Sequence, residues 1–294
     1  MNVSARFLEA EAVLAQFGWH LEKPETSPPG LELPGKICVE DPETAFRIET
    51  ADGPSRYLMT VDKRAKFLID CRERRIDVCD SQSDSAISKL IRDQVVPRIL
   101  GHEGWFVPHA AAIQTARNTI FFFGRSGAGK STLAQAFKLA GYEVIGDDAV
   151  IFTRQGADVR LATLREEITL RPDSAAAFLE YAPRTRTWSR SADNLLRRPA
   201  LFFLSEVENQ PEIELRTKRP SSALQAALAS SFVLDPLSLR SMSKLMARVA
   251  EFTEPATAFD LSYPRDFARL QEVVGKITGT LDTAYQRETE YECA

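Results

Sequence analysis

The sequence predicts an α/β protein: a sheet-and-helix core carrying a glycine-rich loop, preceded by a small, mostly antiparallel β domain. Three observations predict it. The apolar run Thr119-Ile120-Phe121-Phe122-Phe123 leads into Gly124-Arg125-Ser126-Gly127-Ala128-Gly129-Lys130-Ser131, and helix-prone sequence follows. A short apolar stretch, Val144-Ile145, ends in Asp147-Asp148, after which strand sequence resumes at Ala149-Val150-Ile151-Phe152. Between residues 36 and 80 come five runs rich in β-formers, KICVE, TAFRIET, RYLMTVD, KFLID and RIDVC, separated by Asp, Pro and Gly.

Taken in order, residues 4–17 carry Phe7, Leu8, Val13, Leu14 and Phe17 at helical spacing and stop at Gly18. Pro24, Pro28, Pro29 and Pro34 make a connector that holds neither helix nor central strand. The five β runs follow, with Phe46, Ile48, Phe67 and Ile69 read as packing. Ile87, Leu90, Ile91, Val95, Ile99 and Leu100 trace a helical stripe over 84–102, interrupted at Pro97. Residues 107–114 and 119–123 form a hairpin that feeds the loop and sets His109 one strand away from it. After the acidic pair the strand turns near Gln155-Gly156 and returns through Val159-Arg160-Leu161. Residues 168–171 read as another strand, and Asp173 or Ser174 as the cap of a helix over 175–181. The stretch 183–198 is basic and aperiodic, with Arg184, Arg186, Arg190, Arg197 and Arg198 around Trp188. It reads as a solvated loop, or as a lid over phosphates or a dock for an acidic substrate. Strands at 201–207 and 213–218 read as a hairpin, helices occupy 221–232 and 236–252, and a last strand (258–263) and helix (265–277) precede a polar tail from 280. The expected domains are therefore 1–83, 84–279 and 280–294.

With 294 residues, 44% apolar and 27% charged, the composition is that of a globular protein. The net charge of −4, from 37 basic and 41 acidic residues, gives no global reason to expect nucleic-acid binding. No stretch approaches the roughly 18 uninterrupted apolar residues of a membrane span. Cys38, Cys71, Cys79 and Cys293 form no C-x-x-C pair, so neither zinc nor a disulfide framework is indicated. With a start, MNVSARFLEAEAVLAQFG, that lacks a basic segment leading into a long apolar run, a cytoplasmic location is expected.

The loop fits G-x-x-x-x-G-K-[ST] in its proper strand-to-helix context. Its glycines permit torsions that turn successive N–H groups inward onto phosphate oxygens, at the positive end of the following helix. Residues Gly124 to Ser131, with Thr132 after them, are thus candidate nucleotide contacts: Lys130 over the β/γ phosphates, the Ser131 hydroxyl on Mg²⁺. A bare glycine turn has no need of Gly-Lys-Ser in that order. Asp147-Asp148 falls at the carboxyl end of its strand, where open α/β sheets place ligands, and is enclosed by strand sequence on both sides.

HAAAI, GRSGAGKST and GDDAV together resemble the catalytic domain of HPr kinase/phosphorylase and its smaller relatives encoded with peptide-modification genes. The match is specific from Val107 to Phe152 and looser to Ile277. It implies the compact phosphoenolpyruvate-carboxykinase-like variant of the P-loop fold. It also implies transfer of the γ-phosphoryl of ATP, or of another nucleoside triphosphate, to a serine hydroxyl of a peptide or protein, with Mg²⁺. By the same resemblance Asp147 is the proton acceptor or aligner, Asp148 a metal contact beside Ser131, and His109 an assistant to a carboxylate, although adjacent acids can exchange roles. Residues 164–171 (LREEITLR) stand where true HPr kinases carry a glycine-containing segment, so neither phosphorylase activity nor HPr as substrate is implied. Two rivals stay open: a P-loop small-molecule kinase, and a regulatory ATPase without transferase activity. Self-association into a homo-oligomer is left open as well.

Overall fold

The computed structural model describes residues 9–24, 35–41, 45–51, 55–62, 65–79, 84–155, 158–165, 167–181, 194–205 and 210–292. The connector from Pro28 to Pro34, together with Arg184, Arg186, Trp188 and Arg190, lies outside them. Two units emerge, Leu8–Val107 with Ser231–Arg248, and Pro108–Ser230 with Val249–Ala294.

In the first, α1 (Ala10–Gln16) and β1 (His20–Glu22) precede β2 (Ile37–Asp41), β3 (Phe46–Thr50), β4 (Arg56–Val61), β5 (Ala65–Asp70) and β6 (Arg75–Val78). The sheet order is β1-β6-β5-β4-β3-β2. Successive neighbours from β2 to β6 pair antiparallel, as short connections require, and β1 adds in parallel to β6. α2 (Asp84–Leu90) and α3 (Val96–His102) are joined by a π-helical turn, Ile91–Val95. Pro97 therefore does not interrupt the helix. Its ring and missing N–H conflict with the carbonyl four residues back, and widening the preceding turn absorbs the conflict.

The first unit extends to Val107 instead of ending at residue 83. The helix past 84 is tied into it by Phe17 against Trp105, with ring centres 5.6 Å apart, and by Trp19 Nε1 donating to Glu103. Phe232 N bonds Val107 O at 2.9 Å and Tyr57 Oη donates to Asp235 at 3.0 Å, which bring in the segment after residue 230.

The second unit holds β7 (Ala110–Gln114), β8 (Asn118–Phe123), α4 (Lys130–Leu139), β9 (Glu143–Gly146), β10 (Val150–Gln155), β11 (Asp158–Thr163), α5 (Pro172–Tyr181), β12 (Arg198–Leu204), β13 (Glu214–Thr217) and α6 (Pro220–Ala229). α7 (Leu239–Thr253), β14 (Thr257–Ser262) and α8 (Leu270–Glu292) complete the chain. Its main sheet is mixed, in the order β13-β14-β12-β8-β7-β9. β8, β12 and β14 run parallel, whereas β7 is antiparallel to both β8 and β9. β8 is covered on both faces, which is why its sequence is a continuous apolar run. On one face Phe122, Phe202 and Phe259 form a cross-strand ladder with ring centres 5.9 and 5.2 Å apart, and Phe137 of α4 packs on it at 5.6 Å. The helix that follows the glycine loop is thereby fixed to the sheet. On the other face Phe121 meets Phe152 and Phe252.

The expected hairpin of 201–207 with 213–218 does not form. β12 is flanked by β8 and β14 and has no free edge, so β13 pairs antiparallel with β14 instead. Residues 168–171 are irregular, because Thr169 N–H serves a carboxylate and not a strand ladder. The chain after 280 continues α8, since Val273, Val274, Ile277 and Leu281 prolong one buried stripe.

Arg197 and Arg198 are not part of a lid. Arg198 pairs with Asn118 at the start of β8, one full strand away from the glycine loop that leaves its other end. Arg197 Nη1 donates to the carbonyls of Thr115 and Ala116 at 3.0 and 2.7 Å and ties down the β7–β8 turn. Arg197→Ala is accordingly expected to lower unfolding free energy in urea by about 1 to 3 kcal/mol, while nucleotide affinity measured by calorimetry stays at the wild-type value.

Candidate functional site

The strand directions decide where the chemistry collects. Because β7 is antiparallel to β8 and β9, its beginning lies beside their ends, with Ala110 opposite Phe123 and Ala112 opposite Gly146. His109 just before β7, the loop after β8 and the acidic pair after β9 therefore meet at one edge of the sheet. Residues that follow the parallel strand β14, Tyr263 and Arg265, arrive at the same edge.

The loop runs from Gly124 to Gly129, and α4 begins at Lys130. Gly127 and Gly129 have φ of +85° and +102°, a region costly for other residues. Gly129 also has no room: a Cβ there would lie 2.2 Å from Tyr263 Oη. The loop curls around the Lys130 side chain, whose Nζ donates to Gly124 O at 2.8 Å and Arg125 O at 3.0 Å. Lys130 is buried, so its ammonium is held at the N-terminal end of α4, the positive end of that helix. The Ala128 methyl packs into the apolar core. Ser126, Gly127, Gly129, Lys130, Ser131 and Thr132 line an adjoining cavity of about 470 Å³; Arg125 contributes its carbonyl but its side chain is not in the lining.

The two aspartates turn apart. Asp147 is buried and points to α4, with Oδ1 accepting from Ser131 Oγ at 3.1 Å and Oδ2 from Thr169 N at 3.2 Å. Burial raises its pKa, against the opposing hydrogen bond of Ser131, and the charge of Asp148 pushes the same way as burial. Asp148 has a left-handed φ of +80°, which swings its carboxylate to His109 Nε2 at 2.7 Å and Arg165 Nη2 at 3.3 Å. Burial raises the Asp148 pKa too, but the hydrogen bond and charge of His109, then Arg165 and Lys130, outweigh it and hold the group at about 2.

Ser131 thus meets Asp147, and the expected pairing of Ser131 with Asp148 is replaced. The reason is the backbone reversal at Asp148, which separates two side chains that are adjacent in sequence. Ser131 and Asp147 offer hard oxygen donors side by side, which suits Mg²⁺. Among the described residues no group of three His, Cys, Asp or Glu could enclose a metal.

Three arginines of the site are not singled out by sequence reasoning: Arg165, Arg171 and Arg265 all line the cavity. The signal for the first two was the charged stretch 164–171, set directly after β11, the strand that returns toward the acidic pair. Tyr263-Pro264-Arg265 sits at the carboxyl end of a strand, the same positional cue that marks the acidic pair.

No family model matches the chain, and no curated protein matches it. Among solved structures it is similar to the Hpr(Ser) kinase/phosphatase from Coxiella burnetii, at 11% identity and a TM-score of 0.30, over 61% of this chain and 98% of that one. In the described residues no helix is long and apolar enough to cross a membrane.

Proposed function

We propose that this chain is a phosphotransferase of the HPr-kinase type that moves the γ-phosphoryl group of ATP to a serine hydroxyl of a peptide or protein, and works in the cytoplasm. The fold that goes with this reading is the phosphoenolpyruvate-carboxykinase-like P-loop core. The observation that carries it is the split acidic pair: one carboxylate on Ser131 beside the loop, the other on His109 and Arg165, both lining one cavity with Lys130.

In this reading the loop N–H groups and Lys130 bind the polyphosphate. Ser131 and Asp147 would hold Mg²⁺, which would neutralise phosphate charge. Asp148 receives the acceptor hydroxyl and is kept in position by His109 and Arg165. The new bond joins the acceptor oxygen to phosphorus, the bond to the leaving phosphate oxygen breaks, and the hydroxyl proton leaves toward the Asp148–His109 pair. A carboxylate with a pKa of about 2 is a weak base, so alignment is its larger contribution. A loose phosphoryl-transfer transition state asks for little more.

Mass spectrometry of candidate peptides after incubation with Mg·ATP tests this. One added phosphate on serine is the expected result. Phosphate appearing only on a free metabolite would replace the reading with a small-molecule kinase, and inorganic phosphate alone would replace it with a regulatory ATPase.

A further inference from the structure

Arg171 and Arg265 come from different parts of the chain, one just before α5 and the other just after β14, and converge on one glycine. Arg265 Nη1 donates to Gly127 O at 3.0 Å, and a Cβ on Gly127 would lie 3.0 Å from Arg171 Nη2. Arg265 also lies over the Tyr263 ring, 5.9 Å from its centre, while the Tyr263 hydroxyl rests against Gly129. The Arg171 guanidinium forms no hydrogen bond or ion pair among the described residues, and that of Arg265 donates only to a backbone carbonyl. The Asp148–Arg165 pair in the same cavity is different, for that guanidinium already has its carboxylate.

Position adds to this. Thr169 N–H is on Asp147, and Arg171, two residues further on, reaches the glycine loop, so this short segment spans from the acidic pair to Gly127. Two guanidinium groups brought together without an ion-paired carboxylate repel each other, and an anion with several oxygens relieves that.

Resting on the reading of the loop as a nucleotide site, we propose that Arg171 and Arg265 act as a pair on the terminal phosphate of the nucleotide, distinguishing a triphosphate from a diphosphate and facing the phosphoryl group that is transferred. Arg265 rests on the Gly127 carbonyl. Its donors turn to phosphate when the loop is filled.

Calorimetric titration of the full chain with Mg·ATP and with Mg·ADP tests the pair without reference to turnover. Wild type is expected to bind Mg·ATP about tenfold or more tighter than Mg·ADP. In the Arg171→Ala, Arg265→Ala double variant that preference is expected to vanish, with Mg·ADP affinity unchanged. Both side chains are exposed, so the melting temperature should hold and confirm a folded protein. Arg265→Lys, which keeps the charge but loses the fork, is expected to restore part of the preference. Equal weakening of both nucleotides would make Arg265 a brace of the loop and overturn the proposal, as would an unchanged preference; the loop reading survives either. Wild type binding neither nucleotide would remove that reading and the pair with it.

Discussion

Lys130→Ala is expected to lose nucleotide binding and transfer while keeping its fold. The ammonium is nearly enclosed and donates to two loop carbonyls, so its removal takes away both the charge that meets phosphate and the post around which residues 124–129 are wound. A charge-assisted contact of this kind is worth about 1.5–3 kcal/mol, tenfold to over a hundredfold in affinity. Loss of the charge during transfer adds a further factor on the order of 10² in rate. The fold stands on other contacts: α4 is held to the sheet by Phe137 on the Phe122–Phe202–Phe259 ladder, which does not involve the lysine. Titration calorimetry with Mg·ATP, alongside a melting curve, separates the two effects. Wild-type affinity in a folded Lys130→Ala protein would remove the loop from the site altogether.

Part of this site is legible from residue order. A glycine loop after an apolar run, an acidic pair at the end of the next strand and a histidine at the start of a hairpin are local patterns, and the sheet brings all three to one edge. The division of labour between Asp147 and Asp148 is not local. It depends on a single left-handed torsion at Asp148 and on Thr169 N–H arriving from beyond β11, neither of which leaves a mark in composition or spacing.

The arginines show the same limit from the other direction. The basic stretch 183–198 draws attention by density, yet Arg197 serves a turn at the far end of β8. Arg165 and Arg171, which line the cavity, fall in the mixed-charge stretch 164–171, and Arg265, which lines it too, follows β14 far along the chain. Charge density along a chain reports exposure. Convergence of charges depends on which strand ends share an edge, as with the parallel strands β8 and β14 on either side of β12. The absent β12–β13 hairpin has the same origin, since strand order is set by which edges remain free.

Asp148→Asn is expected to slow phosphoryl transfer on the order of 10² to 10³-fold and to flatten the acid limb of the stability curve. Asparagine tolerates a left-handed torsion as aspartate does, so the backbone at φ +80° is kept and the change is confined to the charge. His109 then loses a carboxylate contact and Arg165 its ionic partner, and the acceptor hydroxyl loses its aligner. The stability effect has a definite sign. The Asp148 pKa lies at about 2 in the folded protein against 3.8 for the free side chain, so the folded state favours the ionised form. Its contribution of about 2 kcal/mol is present above pH 4, falls to roughly half near pH 3 and is largely gone at pH 2. Asp147 runs the opposite way: its raised pKa makes it stabilising when protonated, a contribution lost as pH rises through the folded-state pKa. In Asp148→Asn the first contribution disappears, and urea unfolding at pH 5 and pH 3 should differ less than in wild type by about 1 kcal/mol. Equal pH dependence in the two proteins would mean that the His109–Asp148–Arg165 cluster does not hold the charge in solution. Unchanged transfer would move the acceptor side of the site away from Asp148.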